Sequence, residues 1–192
     1  GIERVMRYAF ELALTRPKKQ LTLVTKSNAQ RHGMVLWDEV FENLKHDYPG
    51  ITTDRMLVDA ITTRMVLQPQ SLDTIVATNL HADILSDLAA ALSGSLGIGP
   101  TANINPERTF PSMFEPIHGS AFDLVGKDLA NPLGAFWSCV MMLEHLQEKK
   151  GASLLMSAIE EVCQEGRHLP IDLGGNSCTG EVTTAVCAAL KK

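Results

Sequence analysis

The chain has 192 residues, 45% of them apolar, with 22 acidic against 17 basic side chains and a net charge of −5. That length suffices for one large or two small domains with a proper core. Acidic and basic residues are interspersed with no Lys/Arg block, which argues against nucleic acid as a partner. No apolar run reaches the ~20 residues of a membrane-spanning helix, which argues against a membrane role.

The four cysteines, Cys139, Cys163, Cys178 and Cys187, form no CxxC pair and no metal spacing with histidine. Reduced, mostly buried thiols in an intracellular, cytoplasmic protein are the expectation. The chain opens Gly1-Ile2-Glu3-Arg4, with neither an initiator methionine nor a targeting segment, so it reads as starting inside an architecture.

A helical stripe of Ile2, Val5, Met6, Ala9, Phe10, Ala13 and Leu14 begins at once and is expected to stop before Pro17. Leu21-Thr22-Leu23-Val24-Thr25 reads as a buried strand with Lys26-Ser27-Asn28 at its exit. A second helix is expected over 29–47, with Met34, Trp37, Val40, Phe41 and Leu44 on one face and Pro49-Gly50 ending it. Met56-Leu57-Val58 predicts a short strand delivering Asp59 to a helix that runs to about Leu67. Thr74-Ile75-Val76-Ala77-Thr78 predicts another strand, with a helix from Asn79 after it. This alternation is the pattern of α/β layering.

Ser93-Gly94-Ser95-Leu96-Gly97-Ile98-Gly99-Pro100 then breaks the pattern, and its apolar residues predict a packed crossover between domains. Beyond it the sequence predicts a strand over 112–115, a loop-rich stretch over 116–132, and helices over 133–149, 152–164 and 181–190.

Within the helix from Asn79, Asp83 and Asp87 lie one turn apart on one face. Like charges at that spacing repel, and a divalent cation with a taste for hard oxygen ligands, Mg²⁺ or Mn²⁺, offsets the repulsion. A solvated acidic face explains the same spacing. Lys26, just past the carboxyl end of a strand, stands where α/β proteins put functional groups, and a half-buried lysine can carry a proton. An exposed loop lysine is the plain alternative. Asn28 and Asp59 each precede or open a helix, so capping competes with function at both. Glu115-Pro116-Ile117-His118-Gly119-Ser120-Ala121-Phe122-Asp123 joins a strand end to a Gly-Ser loop whose amides can approach a phosphate or an adenosine. Asp123 there suits the two hydroxyls of a ribose and repels a 2′-phosphate. A turn with no ligand fits the same residues.

Taken in order, Thr25-Lys26-Ser27-Asn28, Val58-Asp59-Ala60, Asn79-Leu80-His81-Ala82-Asp83-Ile84-Leu85-Ser86-Asp87, Phe114-Glu115-Pro116-Ile117-His118-Gly119-Ser120-Ala121 and Ala130-Asn131-Pro132 resemble the β-decarboxylating dehydrogenases. That family includes isopropylmalate, isocitrate, tartrate and D-malate dehydrogenases. Asn105-Pro106-Glu107-Arg108-Thr109-Phe110-Pro111 and Ser120-Ala121-Phe122-Asp123 most resemble its tartrate/D-malate branch.

The resemblance implies an isopropylmalate dehydrogenase-like α/β fold of two domains, with a central mixed sheet flanked by helices, of which this chain matches the carboxy-terminal half. Residues 1–93 would supply most of the second, metal-binding and dimerisation domain, and residues 94–192 half of the first, cofactor-binding domain. It implies NAD and Mg²⁺ or Mn²⁺ as cofactors, with a monovalent cation such as K⁺ as a further candidate, a hydroxy dicarboxylate as substrate, and a homodimer. Asp83 and Asp87 would ligate the metal from one subunit and Asp59 from the other. Lys26, also given across the dimer, would move the proton of the substrate hydroxyl, so Lys26 and Asp59 are the catalytic candidates. Asn28 would lie near the nicotinamide and Glu115 near the cofactor. His118, Gly119, Ser120, Ala121, Asp123 and Asn131 would hold the adenosine half. Asp123 matches the NAD-selective pattern, where NADP-using relatives tend to place a lysine and a tyrosine.

The family's Gly-rich cofactor segment, substrate arginines and catalytic tyrosine belong to the half that this chain does not match. Arg4, Arg7, Arg31 and Arg64 do not sit in the arginine motif. The expectation is therefore an oxidative decarboxylation of tartrate or D-malate by the family, with isopropylmalate as the alternative, and a 192-residue chain that is itself silent. A non-catalytic dimerising or interaction module is the competing expectation.

Overall fold

The computed structural model describes residues 1–191. The chain divides into two compact units, Gly1–Ala89 and a second from Ala90 onward. In the first unit α1 (Ile2–Thr15), β1 (Gln20–Thr25), α2 (Gly33–Leu44), β2 (Thr52–Leu57), α3 (Val58–Leu67), β3 (Thr74–Val76) and α4 (Asn79–Leu92) follow one another, the division falling near the end of α4. The strands form one parallel sheet in the order β2-β1-β3, with Thr25 level with Leu57 and Leu23 level with both Arg55 and Val76.

A parallel strand covered on both faces reads as a nearly continuous buried run, and every residue of β1 after Gln20 is buried. Its alternate side chains feed two cores. Leu21 and Leu23 pack with Met6, Phe10 and Phe41, where the Phe10 ring stacks on Tyr48 and Phe41 with centroids 4.6 and 5.3 Å away. Val24 packs with Ile61, Met65 and Leu85 of α3 and α4.

Several boundaries differ from the expectation. The backbone amides of Ala29 and Gln30 donate to the Lys26 carbonyl, at 2.9 and 2.8 Å, so a turn delays α2 to Gly33. β2 starts at Thr52, well before Met56, because this edge strand pairs on one side only and none of its residues is fully buried, so its polar start carries no apolar signal. Val58, expected in the strand, opens α3.

In the second unit β4 (Pro100–Asn103) and β5 (Met113–Pro116) pair antiparallel, and α5 (Leu133–His145), α6 (Lys149–Glu165) and α7 (Thr179–Ala189) build a core around Leu133, Val140, Ile159, Val162, Val182 and Val186. Parallel and antiparallel pairings are thus both present, each in its own sheet. β4 was not expected: Pro100-Thr101-Ala102-Asn103 has neither alternation nor an apolar run. Gly134, in the first turn of α5, lets that helix lie against backbone, since a Cβ there would come within 2.8 Å of the Gly97 carbonyl.

The thiols correct one expectation. Cys139, Cys163 and Cys178 are half-buried and Cys187 is exposed: Cys139 and Cys163 pack at the edge of the second core, and Cys178 stands at the N-cap of α7. Among the described residues no helix is long and apolar enough to cross a membrane.

Candidate functional site

Lys26 and Asp59 sit one and two residues beyond the level ends of the adjacent strands β1 and β2, which brings them together across thirty-odd residues of chain. Lys26 Nζ lies 2.5 Å from Asp59 Oδ1, with the lysine side chain 27% and the aspartate 66% exposed. The hydrogen bond from Lys26 holds the Asp59 carboxyl below the usual carboxylate range. Asp59 does not cap α3: it lies inside the first turn, and the N-cap is Leu57.

The turn that carries Lys26 is tied down by a residue that the sequence reading missed. Ser27 Oγ donates to Asp38 Oδ2 at 2.7 Å, and Arg55 Nη1 donates to the same oxygen at 3.0 Å. Asp38 is buried on α2, so the loop after β1 is anchored to a helix and to β2. Asn28 is exposed on this loop and caps nothing, since the N-cap of α2 is His32.

On α4, Asp83 and Asp87 are exposed on one stripe with Leu80 and Ile84, themselves 62% and 55% exposed. Neither aspartate has an ion pair among the described residues. His81, on the buried side of the same helix, is 5% exposed, and its Nδ1 has no hydrogen-bond partner among the described residues. No three His, Cys, Asp or Glu side chains gather closely enough to hold a metal among the described residues, so Asp59 is not brought to Asp83 and Asp87 within the chain.

In the second unit a cavity of about 510 Å³ takes in His118, Ala121 and Asn131 from the expected cofactor residues. Leu96, Leu124, Leu129 and Ile171 give it mostly apolar walls. His118 Nδ1–H donates to the Gly119 carbonyl at 2.8 Å. Ala121 takes a left-handed conformation, with φ of 40°, where the loop turns into the short helical segment Phe122–Leu124. Gly119, Ser120 and Asp123 lie exposed on this loop and Glu115 on β5; none of the four lines the cavity.

The cavity also contains two polar residues that were not anticipated, Ser95 and Asp172. Their distance in sequence from the His118 loop hid them, and Gly174-Gly175 after Asp172 was the one local mark. A larger cavity of about 620 Å³ between α6 and α7, with Glu161, His168, Cys178 and Glu181 in its walls, takes in none of the expected site residues.

The family model for isocitrate/isopropylmalate dehydrogenase matches residues 1–188. The chain belongs to this dehydrogenase family. It is 65% identical over 190 residues to a probable tartrate dehydrogenase/decarboxylase of Agrobacterium vitis, covering 99% of this chain and 53% of that protein. Against the decarboxylating D-malate dehydrogenase of Escherichia coli K12 it is 47% identical over 192 residues, covering 97% of this chain and 53% of the relative. An isocitrate dehydrogenase crystal structure from Methylococcus capsulatus superposes with a TM-score of 0.95 at 39% identity, over the whole of this chain and 56% of that one. The chain thus spans about half the length of the family members it matches, and its α/β fold is theirs.

Proposed function

We propose that the chain carries the metal and proton-transfer residues, and the adenosine end of the cofactor site, of an NAD-dependent, divalent-metal-dependent homodimeric dehydrogenase. Its reaction is the oxidative decarboxylation of a 2-hydroxy dicarboxylic acid, with tartrate or D-malate favoured. The single observation that carries this reading is the Lys26–Asp59 pair at the level ends of adjacent strands, a proton carrier held against a carboxylate. The names of the tartrate and D-malate relatives support the substrate class.

The carboxylates of α4 fit a hard cation: two exposed groups one turn apart, without ion pairs among the described residues. Asp83 and Asp87 would hold Mg²⁺ or Mn²⁺ with Asp59 given across a dimer, and the cation would supply Lewis acidity at the substrate's hydroxyl and carboxylate oxygens. Lys26, in its neutral amine form, would take the hydroxyl proton, and Asp59 would hold the resulting ammonium at the strand ends. Bound NAD would supply the hydride acceptor, its adenosine half on His118, Gly119, Ser120, Ala121, Asp123 and Asn131, with Asn28 toward the nicotinamide and Glu115 near the cofactor.

Titrating Mn²⁺ into the chain and into Asp83→Asn, followed by the paramagnetic resonance of free Mn²⁺, tests the metal assignment. The variant is expected to bind about tenfold more weakly, since the amide keeps an oxygen but loses the ligand's negative charge; equal affinity rejects the assignment. Fusing the chain behind the amino-terminal part of the D-malate dehydrogenase relative tests the reaction. NADH formation at 340 nm with D-malate, NAD and Mn²⁺ is expected, falling by at least ~10²-fold in Lys26→Met, the usual range for a proton-transfer group.

The second reading, a non-catalytic module that dimerises, is favoured by exposed Leu80 and Ile84 on α4. Both readings agree that the 192-residue chain alone is silent, and turnover by the pure chain would contradict that.

A further inference from the structure

Asp172 sits in the short helical segment Ile171–Leu173, at an exposed position that also lines the 510 Å³ cavity. One of its oxygens, Oδ2, accepts two hydrogen bonds, one from the Ser95 hydroxyl and one from Asn131 Nδ2 at 2.9 Å. Both donors are themselves fixed. Asn131 is 8% exposed and its Oδ1 accepts the Leu133 amide at 2.8 Å, so its carboxamide cannot turn round and its amine must face Asp172. Ser95, also 8% exposed, accepts the Gly97 amide at 2.8 Å, which leaves its proton to donate. Gly97 has no room for a side chain: a Cβ there would come within 2.4 Å of Asp172 Oδ2 and 2.8 Å of Asn131 Cβ. The carboxylate plane is therefore held by three buried or sterically closed neighbours, and among the described residues the Oδ1 atom has no such partner.

We propose that Asp172 determines base specificity in this cavity, with Oδ1 accepting the exocyclic amine of an adenine and refusing a base that carries a carbonyl at the same position. The proposal rests on reading the cavity as the adenosine site. Its walls are mostly apolar, which suits the faces of a purine, while its fixed acceptor discriminates at the purine's edge. Adenine brings an N–H donor to that edge. Hypoxanthine and guanine bring an oxygen, which leaves two acceptors facing each other and costs more than a missing contact. Asn131, expected from the sequence to hold the nucleotide, acts in this arrangement through Asp172, because its own carboxamide is committed at both ends.

The test is titration of ADP and of IDP into the ¹⁵N-labelled 192-residue chain, read from the shifts of cavity amides by NMR. ADP is expected to bind about tenfold more tightly than IDP, a moderate preference for a site with one discriminating hydrogen bond. Asp172→Asn is the decisive variant. Ser95 and Asn131 still require an acceptor, so the amide oxygen takes the Oδ2 place and an NH₂ replaces Oδ1, and the preference should invert toward IDP. A retained ADP preference in Asp172→Asn overturns the proposal. So does a parallel loss of both nucleotides, which marks a structural role. Should Asp172→Asn not fold, Ser95→Ala loosens the same carboxylate and is expected to reduce the ratio; an unchanged ratio counts against the proposal. Equal affinity of the unaltered chain for ADP and IDP refutes the role of Asp172 alone. No shift of cavity amides with either nucleotide at millimolar concentration removes the adenosine reading, and this proposal with it.

Discussion

Asp59 shows how little an exposed ion pair needs in order to matter. In a polar, solvated setting the Lys26–Asp59 contact adds little to stability, and its consequence is direction: it aims a lysine and a carboxylate at the same point beyond the strand ends. Cys178 is the opposite case, a side chain whose chemistry is suppressed by its neighbour. Its hydrogen bond to Asp128 raises the thiol above the ordinary cysteine range, since a nearby carboxylate disfavours a thiolate. A raised value means that the thiolate forms only at higher pH. Pulse alkylation with iodoacetamide near neutral pH, mapped by mass spectrometry, should therefore label exposed Cys187 first, with Cys178 lagging. The Cys178 rate should rise with pH later than that of its Asp128→Asn variant. At this scale the sequence was partly legible: Lys26, Asp59, Asp83 and Asp87 were visible as residue types after strands or on one helix face. Asp38, Ser95 and Asp172 were not, because each matters through a partner that the fold brings to it: Ser27 for Asp38, and Asp172 for Ser95.

Among the elements, α1 carries the clearest packing argument. Met6, Ala9, Phe10 and Ala13 recur at helical spacing and are all buried, and the Phe10 ring stacks with both Phe41 and Tyr48. Phe10→Ala removes a fully buried ring and is expected to cost about 3–5 kcal/mol, measured by urea denaturation of the chain with the Phe10 variant alongside. Periodicity exposed α1, β1 and the three helices of the second unit because each buries a regular set of side chains. It failed at the start of β2 and at β4, whose residues include no fully buried side chain, and pairing on the sheet rather than side-chain burial makes them strands. It also overran the start of α2, where hydrogen bonds to the Lys26 carbonyl close a turn that apolar spacing cannot register.

For the molecule as a whole, the stripe of α4 decides what can be tested. Leu80 and Ile84 share the stripe with the aspartates and remain exposed, so the face proposed to hold a cation also presents apolar surface. Sedimentation velocity should show concentration-dependent association that weakens when Leu80→Ser and Ile84→Ser are combined. An unchanged profile would mean that this face takes no part in association.

The sequence by itself determined the α/β class, the family, and the identity of the polar residues that stand after strands and on α4, because these follow from local periodicity and from short ordered motifs. Only the tertiary structure decided which of them meet. Parallel pairing with Thr25 level with Leu57 joins Lys26 to Asp59, a contact fixed by register and not by proximity in the chain. The walls of the cavity likewise come from Ser95, Asn131 and Asp172, which no local pattern connects. The acidic pair on α4 keeps its regular spacing in both descriptions, and its lack of ion-pair partners among the described residues is a property of the folded surface alone.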